Sequence, residues 1–510
     1  MEFIVPDPFY ITTPIYYVND VPHIGSVYTN VACDVMARFA RLDGHEVKFL
    51  TGTDEHGQKV EKSAKDAGLS PQAFVDKISE NFQSLIPLCK LSSDDFIRTT
   101  EERHIKGVLY LWNTLVEKGY IYLDSYKGWY SVRDEAFYGE SEIKDGKAPT
   151  GAPVEWVEEP SYFFKLSAFQ EKLLNYYENH PDFIGPVSRR NEVIQFVKSG
   201  LTDLSVSRTS FTWGIEVPND PKHVIYVWLD ALTNYLTALG YPEKTEDFKK
   251  FWPALHVVGK DILRFHTVYW PAFLMAADLP LPSRIFAHGF WTNEGQKMSK
   301  SLKNTIDPVA LIETYGLDPV RYFLMREIPF GQDGNFSKAH LVGRLNGDLA
   351  NDLGNLSQRV LSFIQKNAEG RIPSKGSLNQ EDKDLMEMSS NLLSKIRPMI
   401  LKDQELHRYI EEVWKVIAAS NRYVDHQAPW ALKKTDPERM ETVLYVLCTA
   451  LQKIGILLQP LLPDSSGKIL DQLALPLDKR GFEDLETPLQ TGVLLPPPSV
   501  IFPKFKEESV

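Results

Sequence analysis

Short runs of β-branched and aromatic residues alternate with helical periods in two stretches of the chain, and this alternation limits the fold more than any other feature. The first stretch has strand patterns at Phe9–Thr13 and Glu46–Thr51, separated by a helical period over Ile24–Leu42. The second has a strand pattern at His256–Gly259 that leads into a helical period over Asp261–Met275. Strands that alternate with helices pair in parallel, so we predict an α/β domain built on a parallel sheet.

Shorter patterns complete these two stretches. Gly52–Gly57 is polar, which predicts a loop, and Gln58–Gly68 has a helical pattern that ends in glycine. Arg284–His288 is a further strand pattern. The residues between the two stretches, roughly 118–222, lack the alternation, so we predict that they form an insertion.

From about residue 350 the strand patterns stop, and apolar residues recur at helical spacing, as at Leu353, Leu356 and Val360. This spacing predicts an all-α helical bundle, which is followed by an extended C-terminal tail. The apolar stretch Val443–Leu462 is interrupted by polar residues and a proline, so we predict a buried helix there and not a membrane span.

Charge and cysteine content restrict the partners and the compartment. The formal net charge of -12 argues against broad attraction to nucleic acid, so any RNA partner must be recognised locally. Cys33, Cys89 and Cys448 are far apart and odd in number, which predicts neither a disulfide framework nor a zinc knuckle. The N-terminus carries no signal or transit pattern, so we expect a cytoplasmic protein with no membrane partner.

The segment Pro22-His23-Ile24-Gly25-Ser26 lies where the first predicted strand gives way to the first helix. Free amide groups at a helix start attract anions, and glycine lets a nucleotide approach the backbone. His23 can donate a hydrogen bond to a phosphate, and its charged form would help as negative charge shifts. On its own, the segment also fits an ordinary helix cap.

A second segment, Lys297-Met298-Ser299-Lys300-Ser301, follows a strand pattern in a loop bounded by Asn293 and Asn304. Its lysines can close over a triphosphate and neutralise the charge that builds at the α-phosphate. A lone lysine pair would more often be a solvated basic turn. Together with the first segment, however, it predicts a nucleotide site.

These two segments, HIGS and KMSKS, resemble the signatures of the class I aminoacyl-tRNA synthetases. Further strings, spread over nearly the whole chain, resemble the methionyl-tRNA synthetases: ITTPIYYVN, FLTGTDEHG, YVWLDALTNY, GKDILRFHTVYWPAFL and APWALKK. The resemblance implies a Rossmann-like parallel-sheet catalytic domain split by an insertion, followed by an all-α anticodon-binding bundle. It implies a ligase that activates L-methionine with ATP and Mg²⁺ to methionyl-adenylate and pyrophosphate. The methionine is then transferred to the 3′-terminal ribose of tRNA(Met).

On this resemblance we divide the chain into five segments. They are 1–117, the first half of the catalytic domain; 118–222, the connective insertion; 223–290, the second half of the catalytic domain; 291–350, the KMSKS loop and stem-contact region; and 351–510, the helical anticodon-binding domain with the C-terminal tail.

The resemblance also assigns the nucleotide site. Its expected catalytic residues are His23, Lys297 and Lys300, and the expected ATP contacts are His23, Gly25, Ser26, Gly259, Asp261, Lys297, Ser299 and Lys300. The first signature of the family usually ends in a second histidine, and Ser26 stands in that place. Serine carries no charge and reaches less far, so we expect His23 and Lys300 to do more of the phosphate work. Asp261 opens a helix after a strand, where an acid can hold ribose hydroxyls or simply cap the helix.

Spacing and resemblance together predict the methionine pocket. Trp228, Ala231 and Tyr235 recur at helical spacing, and Ile262 and His266 share a stripe of the next helix. Two such stripes can wall an apolar slot that suits a thioether, although buried aromatic residues are also ordinary helix core. The resemblance assigns to methionine the residues Ile15, Tyr17, Asp54, Trp228, Ala231, Tyr235, Ile262, His266 and Trp270. Asp54 would hold the substrate ammonium group, although an acid there can also cap a strand end.

In the bundle, Asn355 and Arg359 lie one helical turn apart, and Trp430 follows Ala428-Pro429 at a helix start. Unstacked RNA bases are bound by stacking on aromatic rings and by hydrogen bonds to their edges. The resemblance assigns Asn355, Arg359 and Trp430 to the tRNA anticodon, although a tryptophan after proline is also a common packing anchor.

Many members of the family carry a C-x-x-C zinc knuckle in the insertion. In this chain Tyr130-Ser131-Val132-Arg133-Asp134 occupies that place, and it offers no thiolate. We therefore expect no bound zinc.

Three other functions stay open from the residues alone. Another class I synthetase, for leucine, isoleucine, valine or cysteine, is disfavoured because a large editing insertion and clustered cysteines are absent. A small nucleotidyltransferase would leave the helical half unexplained, and His23, Lys297 and Lys300 argue against a catalytically silent RNA-binding protein. The chain lacks the C-terminal domain by which some relatives dimerise, so we expect a monomer.

Overall fold

The computed structural model describes residues 6–18, 22–134, 136–243, 245–298 and 304–506. Its strands, in chain order, are β1 (Phe9–Thr12), β2 (Tyr16–Tyr17), β3 (Val47–Asp54), β4 (Asp95–Arg98), β5 (Ile121–Ser131), β6 (Ala136–Tyr138), β7 (Glu155–Phe164), β8 (Ile184–Gly185), β9 (Leu204–Ser205), β10 (Ser207–Arg208), β11 (Glu216–Val217), β12 (Asp220–Ile225), β13 (Leu255–Gly259), β14 (Arg284–His288), β15 (Trp291–Asn293), β16 (Gln296–Lys297) and β17 (Gly334–Phe336).

The α-helices are α1 (Ile24–Leu42), α2 (Gln58–Asp66), α3 (Pro71–Gln83), α4 (Leu85–Leu88), α5 (Glu102–Glu117), α6 (Gln170–Asn179), α7 (Val187–Lys198), α8 (Val227–Thr237), α9 (Glu246–Phe251), α10 (Trp270–Ala276), α11 (Pro308–Tyr315), α12 (Leu317–Arg326), α13 (Lys338–Arg344), α14 (Asn355–Asn367), α15 (Gln380–Ser390), α16 (Leu392–Leu401), α17 (Leu406–Gln427), α18 (Pro429–Thr435), α19 (Pro437–Leu458) and α20 (Pro463–Gln472). Phe265–Tyr269 and Leu345–Gly354 are π-helical. Short 3₁₀ segments are Glu140–Glu142, Leu166–Phe169, Lys260–Ile262, Leu477–Lys479 and Phe482–Asp484.

The chain divides into two compact units. The sheet unit comprises Pro8–Pro22 and Val47–His288. The helical unit comprises Met1–Asp7, His23–Glu46 and Gly289–Val510.

A parallel sheet forms the centre of the sheet unit, as the alternation of strands and helices predicts. Its strand order is β2-β3-β1-β13-β14-β8, and β4 also pairs with β3. The two stretches of alternating pattern meet in this sheet, because Ile11 of β1 is in register with Leu255 of β13. Strand β8, from within the predicted insertion, pairs in parallel with β14, which the sequence pattern did not indicate.

Strand β3 runs further than its sequence pattern predicts. Gly52, Thr53 and Asp54 were expected in a loop, but their backbones pair with the neighbouring strands, with Thr53 opposite Arg98 of β4 and Tyr16 of β2. A Cβ on Gly52 would lie 2.1 Å from the carbonyl oxygen of Ile97, so only glycine allows β4 this close. The glycine that suggested a loop therefore marks a close strand contact.

The helix expected over Asp261–Met275 is interrupted. It consists of the 3₁₀ turn, the π-helical turn and α10, and Pro271 lies in the first turn of α10. Proline has no N–H to donate, so the carbonyl group of Thr267 loses its usual helical partner. The hydroxyl group of Tyr177 donates to that carbonyl instead, at 2.5 Å. This break positions His266 on the π-helical turn.

The predicted insertion contains mainly antiparallel strands. A four-stranded sheet has the order β6-β5-β7-β9, and β5 pairs with β7 along most of its length. A second sheet, β10-β12-β11, leads into α8. The lack of strand–helix alternation in residues 118–222 thus corresponds to this antiparallel structure, although α6 and α7 also lie within this range.

The helical unit contains α1, a small sheet of the order β16-β15-β17, and the bundle formed by α14 to α20. Helix α1 begins and ends where the helical period predicted. Among the described residues, α19 is the one helix that is long and apolar enough to cross a membrane, and 94% of its apolar window is buried inside the protein. The predicted buried helix at Val443–Leu462 corresponds to α19.

A buried ion pair ties α1 to the helical bundle. Arg321 of α12 and Asp34 of α1 are both fully buried, and their side chains approach to 2.7 Å. Arg321 also donates from Nε to the carbonyl oxygen of Leu461 and from Nη2 to that of Pro460, at 2.9 and 2.8 Å. Buried charges are tolerated only when they are paired and hydrogen-bonded, so these contacts are needed together.

Replacing Arg321 by methionine should destabilise the helical unit strongly, because the buried Asp34 would keep only the partly exposed Arg38, at 2.8 Å, as a countercharge. The expected loss is about 3 kcal/mol, measured as a shift of the urea unfolding transition followed by circular dichroism. Arg397→Met is the matched control, since Arg397 pairs with Asp43 with 46% of its side chain exposed. An exposed pair contributes about 0 to 1 kcal/mol. Equal shifts in the two variants would contradict the role given to Arg321.

Candidate active site

The first signature segment begins helix α1, and His23 caps that helix. The backbone N–H of Gly25 donates to His23 Nδ1 at 3.0 Å, which requires Nδ1 to be unprotonated and leaves the ring proton on Nε2. A Cβ on Gly25 would lie 2.7 Å from His23 Cε1, so the glycine makes room for the folded-back ring. With Nδ1 accepting from the backbone, Nε2 is the ring atom that carries the proton.

Ser26, which stands in place of the second histidine, is buried in the first turn of α1. Its backbone N–H donates to the carbonyl oxygen of His23 at 3.0 Å, and its own carbonyl oxygen accepts from Asn30 Nδ2 at 2.9 Å. The second signature lies largely outside the described residues: Ser299 and Lys300 are not among them, and neither is the side chain of Lys297. The backbone of Lys297 ends strand β16.

Residues predicted for the methionine pocket meet in the sheet unit between α8 and the π-helical turn. The hydroxyl group of Tyr235 lies 2.7 Å from His266 Nε2, and His266 Nδ1 lies 2.9 Å from the carbonyl oxygen of Ile262. A carbonyl oxygen only accepts, so the proton is on Nδ1, and Tyr235 donates to Nε2. The rings of Trp228 and Trp270 lie 6.4 Å from His266 and 6.2 Å from Tyr235, respectively, between centroids.

Burial keeps His266 uncharged. It lowers the pKa of His266 to about 4, while the hydrogen bond to the backbone at Ile262 acts in the opposite direction. His256, on β13, lies beneath Tyr235 with 4.0 Å between ring centroids, and burial lowers its pKa well below the usual value. The two imidazole rings of this packed cluster are therefore uncharged, which suits an apolar neighbour.

Tyr17 and Asp54, expected at the ammonium end of methionine, are register partners on β2 and β3. Asp54 is the last residue of β3 and is buried. Ile15 and Tyr17 pack against the hydrophobic core that contains Tyr235 and Trp270. Ala231 is buried on α8, one turn from Tyr235. The structure thus gathers the predicted methionine residues in one unit.

Sequence reasoning missed a buried polar network beside these residues. The Asp230 carboxylate accepts from His56 Nδ1 at 2.7 Å and from His104 Nε2 at 2.8 Å, and the side chains of all three are nearly or fully buried. Burial acts to raise the pKa of Asp230, but the two imidazole rings, His56 foremost, lower it to about 2. The sequence does contain a signal for this network, because Asp230 lies within the apolar string YVWLDALTNY, and a buried carboxylate needs hydrogen-bond donors.

Gly259 and Asp261, predicted to contact adenosine, lie at the carboxyl end of β13, where the 3₁₀ turn begins. A Cβ on Gly259 would lie 2.5 Å from Asp261 Oδ1, so the glycine leaves room for this carboxylate beside the strand end. Asp261 is exposed. Ligands of open α/β sheets bind at the carboxyl ends of parallel strands, which is where these residues stand.

Two of the predicted anticodon residues meet at a surface cavity of the helical unit. Arg359 lies 5.8 Å from the ring centroid of Trp430, within the range of a cation–π contact, and donates to Asp425 at 2.6 Å. Trp430 is 49% exposed. Both line a cavity of about 230 Å³ with an apolar floor that includes Phe363 and Leu444. Asn355, the first residue of α14, is exposed one turn before Arg359.

The segment in place of a zinc knuckle is held by hydrogen bonds. The Asp134 carboxylate accepts from the hydroxyl groups of Tyr138, at 3.0 Å, and Thr150. Its backbone N–H donates to Ser131 Oγ at 3.2 Å. Among the described residues, no three or more His, Cys, Asp or Glu side chains form a group that could hold a metal ion.

Comparisons with known proteins agree with this geometry. A family model described as class I tRNA synthetases (M) matches residues 9–152 and 148–361, and a model of the anticodon binding domain of methionyl tRNA ligase matches residues 372–510. The chain is 58% identical over 506 residues to a methionine–tRNA ligase of Rickettsia bellii (strain RML369-C), covering 98% of this chain and 99% of the relative. A methionine–tRNA ligase of Brucella suis biovar 1 (strain 1330) is 55% identical over 508 residues, with 98% of each chain covered.

A solved structure, Mycobacterium tuberculosis methionyl-tRNA synthetase in complex with methionyl-adenylate, matches with a TM-score of 0.95 and 50% identity. The match covers 98% of this chain and 100% of that one. Fold and matches together define a class I aminoacyl-tRNA synthetase. Within that class, the chain belongs to the methionyl-tRNA synthetase family. The predicted fold class and ligase function are thereby confirmed, and the three other functions are set aside.

The low pKa of His266 predicts how stability depends on pH. An unfolded histidine titrates near 6.5, so between about pH 6.5 and 4 the unfolded chain binds a proton that the folded chain refuses. Stability should therefore fall as the pH falls through this interval, and this group should cause no further loss below it. Over the interval the wild-type protein should lose about 3 kcal/mol more than His266→Asn, measured by urea unfolding at each pH. Parallel stability profiles would show that His266 titrates normally.

Proposed function

We propose that this chain, as a member of the methionyl-tRNA synthetase family, activates L-methionine with ATP and charges tRNA(Met) through the residues described above. The main support for this activity is the match to a methionine–tRNA ligase over 98% of the chain. The neutral aromatic slot between α8 and the π-helical turn supports the choice of methionine, because a soft thioether makes favourable contacts with aromatic rings.

For methionine, we assign the two ends of the substrate to different elements. Asp54 at the end of β3 holds the ammonium group, with Tyr17 beside it. The side chain enters the slot walled by Trp228, Tyr235 and His266, and the remaining contacts come from Ile15, Ala231, Ile262 and Trp270. A neutral His266 that accepts from Tyr235 places no buried charge next to the thioether.

For ATP, supplied as its magnesium complex, we assign His23 Nε2 as a donor to the phosphates, with Gly25 and Ser26 at the start of α1. Lys297 and Lys300 neutralise the charge that builds at the α-phosphate, Ser299 contacts the ATP, and Gly259 and Asp261 contact the adenosine. The methionine carboxylate attacks the α-phosphate in line and releases pyrophosphate. Catalysis then comes from positioning and charge stabilisation, and no side chain acts as nucleophile.

In the second step, a ribose hydroxyl of the 3′-terminal nucleotide attacks the activated carbonyl and releases AMP. Homocysteine is one methyl group smaller than methionine, and an apolar slot gains only about 1 to 3 kcal/mol from such a group. We therefore expect some rejection after binding, within the synthetic site.

For tRNA, we assign the anticodon to Asn355, Arg359 and Trp430. The exposed indole ring offers a stacking surface, and the cavity beside it has room for an unstacked base. A local site of this kind lets a chain of net charge -12 select an RNA. We further propose that the protein is a cytoplasmic monomer without zinc, with the domain boundaries 1–117, 118–222, 223–290, 291–350 and 351–510.

Amino-acid-dependent exchange of pyrophosphate into ATP tests the proposed activation step. With each amino acid supplied in turn, methionine should support exchange at least about 100-fold better than leucine or isoleucine, because neither places a thioether in the slot. His23→Asn should retain the helix cap but lose the longer reach of Nε2, so its rate should fall by about 100-fold. Equal exchange with leucine, or no exchange with methionine, would refute the proposal.

Replacing Trp430 by alanine should separate the two steps. Loss of a stacking surface costs about 1 to 3 kcal/mol per base, so the kcat/KM for charging tRNA(Met) should fall at least about tenfold, while methionine-dependent exchange stays near the wild-type rate. Trp156→Ala is the matched control, because Trp156 is similarly exposed at 56% and belongs to the sheet unit. Equal losses in charging and exchange, or equal effects of both variants, would contradict the assignment.

A further inference from the structure

We infer that His56, through its hydrogen bond to Asp230, is a positioning residue that sets the distance between the two ends of the methionine site and so determines which side-chain length is accepted. The inference rests on the proposed roles of Asp54 and of the slot on α8. His56 is buried two residues after Asp54, and no role was predicted for it from the sequence.

The side chain of His56 reaches the helix that carries the slot. Its Nδ1 donates to Asp230 Oδ2 at 2.7 Å, and Asp230 lies between Trp228 and Ala231 on α8. His104 of α5 donates to the other oxygen of the same carboxylate, at 2.8 Å. Asp230 thus holds α8 from the side away from its slot residues, and His56 is the donor that links this carboxylate to the Asp54 segment.

The backbone of His56 is equally constrained. The hydroxyl group of Tyr17 donates to its carbonyl oxygen at 2.9 Å, and its ring packs edge-on against Trp213 with 5.5 Å between centroids. Trp213 Nε1 in turn donates to the carbonyl oxygen of Glu55 at 2.6 Å. A single residue therefore contacts Tyr17, α8 and the segment that carries Asp54.

The residue between Asp54 and His56 is held just as firmly. The buried Glu55 carboxylate accepts from Arg98 Nε and Nη2 at 2.7 and 3.0 Å, and from the hydroxyl groups of Thr53 and Thr100 at 2.7 and 2.5 Å. The Asp54 segment therefore has little freedom of its own. Because it is rigid, the His56–Asp230 hydrogen bond transmits a fixed spacing to α8.

A fixed spacing between an ammonium-binding carboxylate and an apolar slot measures the length of an amino acid. An analogue one atom shorter leaves part of the slot empty, and one atom longer is compressed, as in any well-packed site. Asp230 is fully buried behind the slot, so neither it nor His56 needs to touch the reacting atoms. The pair therefore acts through Asp54 and α8, as positioning residues.

The test compares His56→Ala with His104→Ala. Both variants remove one donor from the same buried carboxylate, but only His56 belongs to the Asp54 segment. Pyrophosphate exchange is measured with methionine, norvaline, which is one atom shorter, and ethionine, which is one carbon longer. His56→Ala should raise the KM for methionine by about tenfold and reduce the preference for methionine over both analogues by about tenfold, with the KM for ATP changed less than about twofold.

His104→Ala should lower stability but keep the preference for methionine within about threefold of wild type. His56→Asn should restore most of the preference, because its amide retains a donor near the position of Nδ1. Trp213→Phe removes the hydrogen bond to the carbonyl oxygen of Glu55 and reduces the ring that packs against His56. It provides a second test if His56→Ala does not fold, and it should reduce the preference in the same direction.

Equal loss of preference in the His56 and His104 variants would show a purely structural role and overturn the inference, and so would an unchanged preference in both His56→Ala and Trp213→Phe. A wild-type protein that fails to activate methionine would instead refute the proposed function, and the two failures are therefore distinguishable.

Discussion

The buried carboxylate of Asp230 is the charge around which the sheet unit is arranged. An ionised carboxylate in a protein interior costs several kcal/mol unless donors surround it, and here His56 and His104 both donate to it. Those donors come from the end of β3 and from α5, so one carboxylate determines how three elements pack. Its low pKa keeps the charge, and therefore the arrangement, present at neutral pH.

From this arrangement the chemistry of the site follows. Helix α8 presents Asp230 to the polar network, and its slot residues face the π-helical turn that carries His266. After that turn, Pro271 has no N–H to donate to the carbonyl group of Thr267, and the hydroxyl group of Tyr177 donates to this carbonyl group instead. Around this turn the rings of Tyr235, His256 and the neutral His266 pack together, and among them we propose the slot for the methionine side chain.

Two local patterns of the chain predicted the bounds of their elements correctly. Helix α1 and strand β14 have the bounds that their periodicity gave, because these elements are set by residues a few positions apart. The length of strand β3 was underestimated, because Gly52 suggested a loop. In the folded sheet, Gly52 instead allows the neighbouring strand to approach closely. The regularity of the helix after β13 was overestimated, because a proline leaves the carbonyl group four residues before it without its helical hydrogen bond.

Contacts between distant residues could not be predicted in the same way. His56 and Asp230 are 174 positions apart, and Arg359 and Asp425 are 66 apart, so no spacing rule connects them. Resemblance supplied the residues of the methionine slot, and the structure brings Tyr235, Ile262 and His266 into direct contact. The roles of the lysines in the second signature remain predictions, because Lys300 and the side chain of Lys297 lie outside the described residues.

A crystal structure with methionine bound measures the central claim directly. We predict that the ammonium nitrogen lies about 3 Å from the Asp54 carboxylate, that the thioether lies among the rings of Trp228, Tyr235 and His266, and that the bond between His56 and Asp230 is retained. Methionine seated with its ammonium group on another carboxylate, or with its side chain outside this slot, would contradict the account.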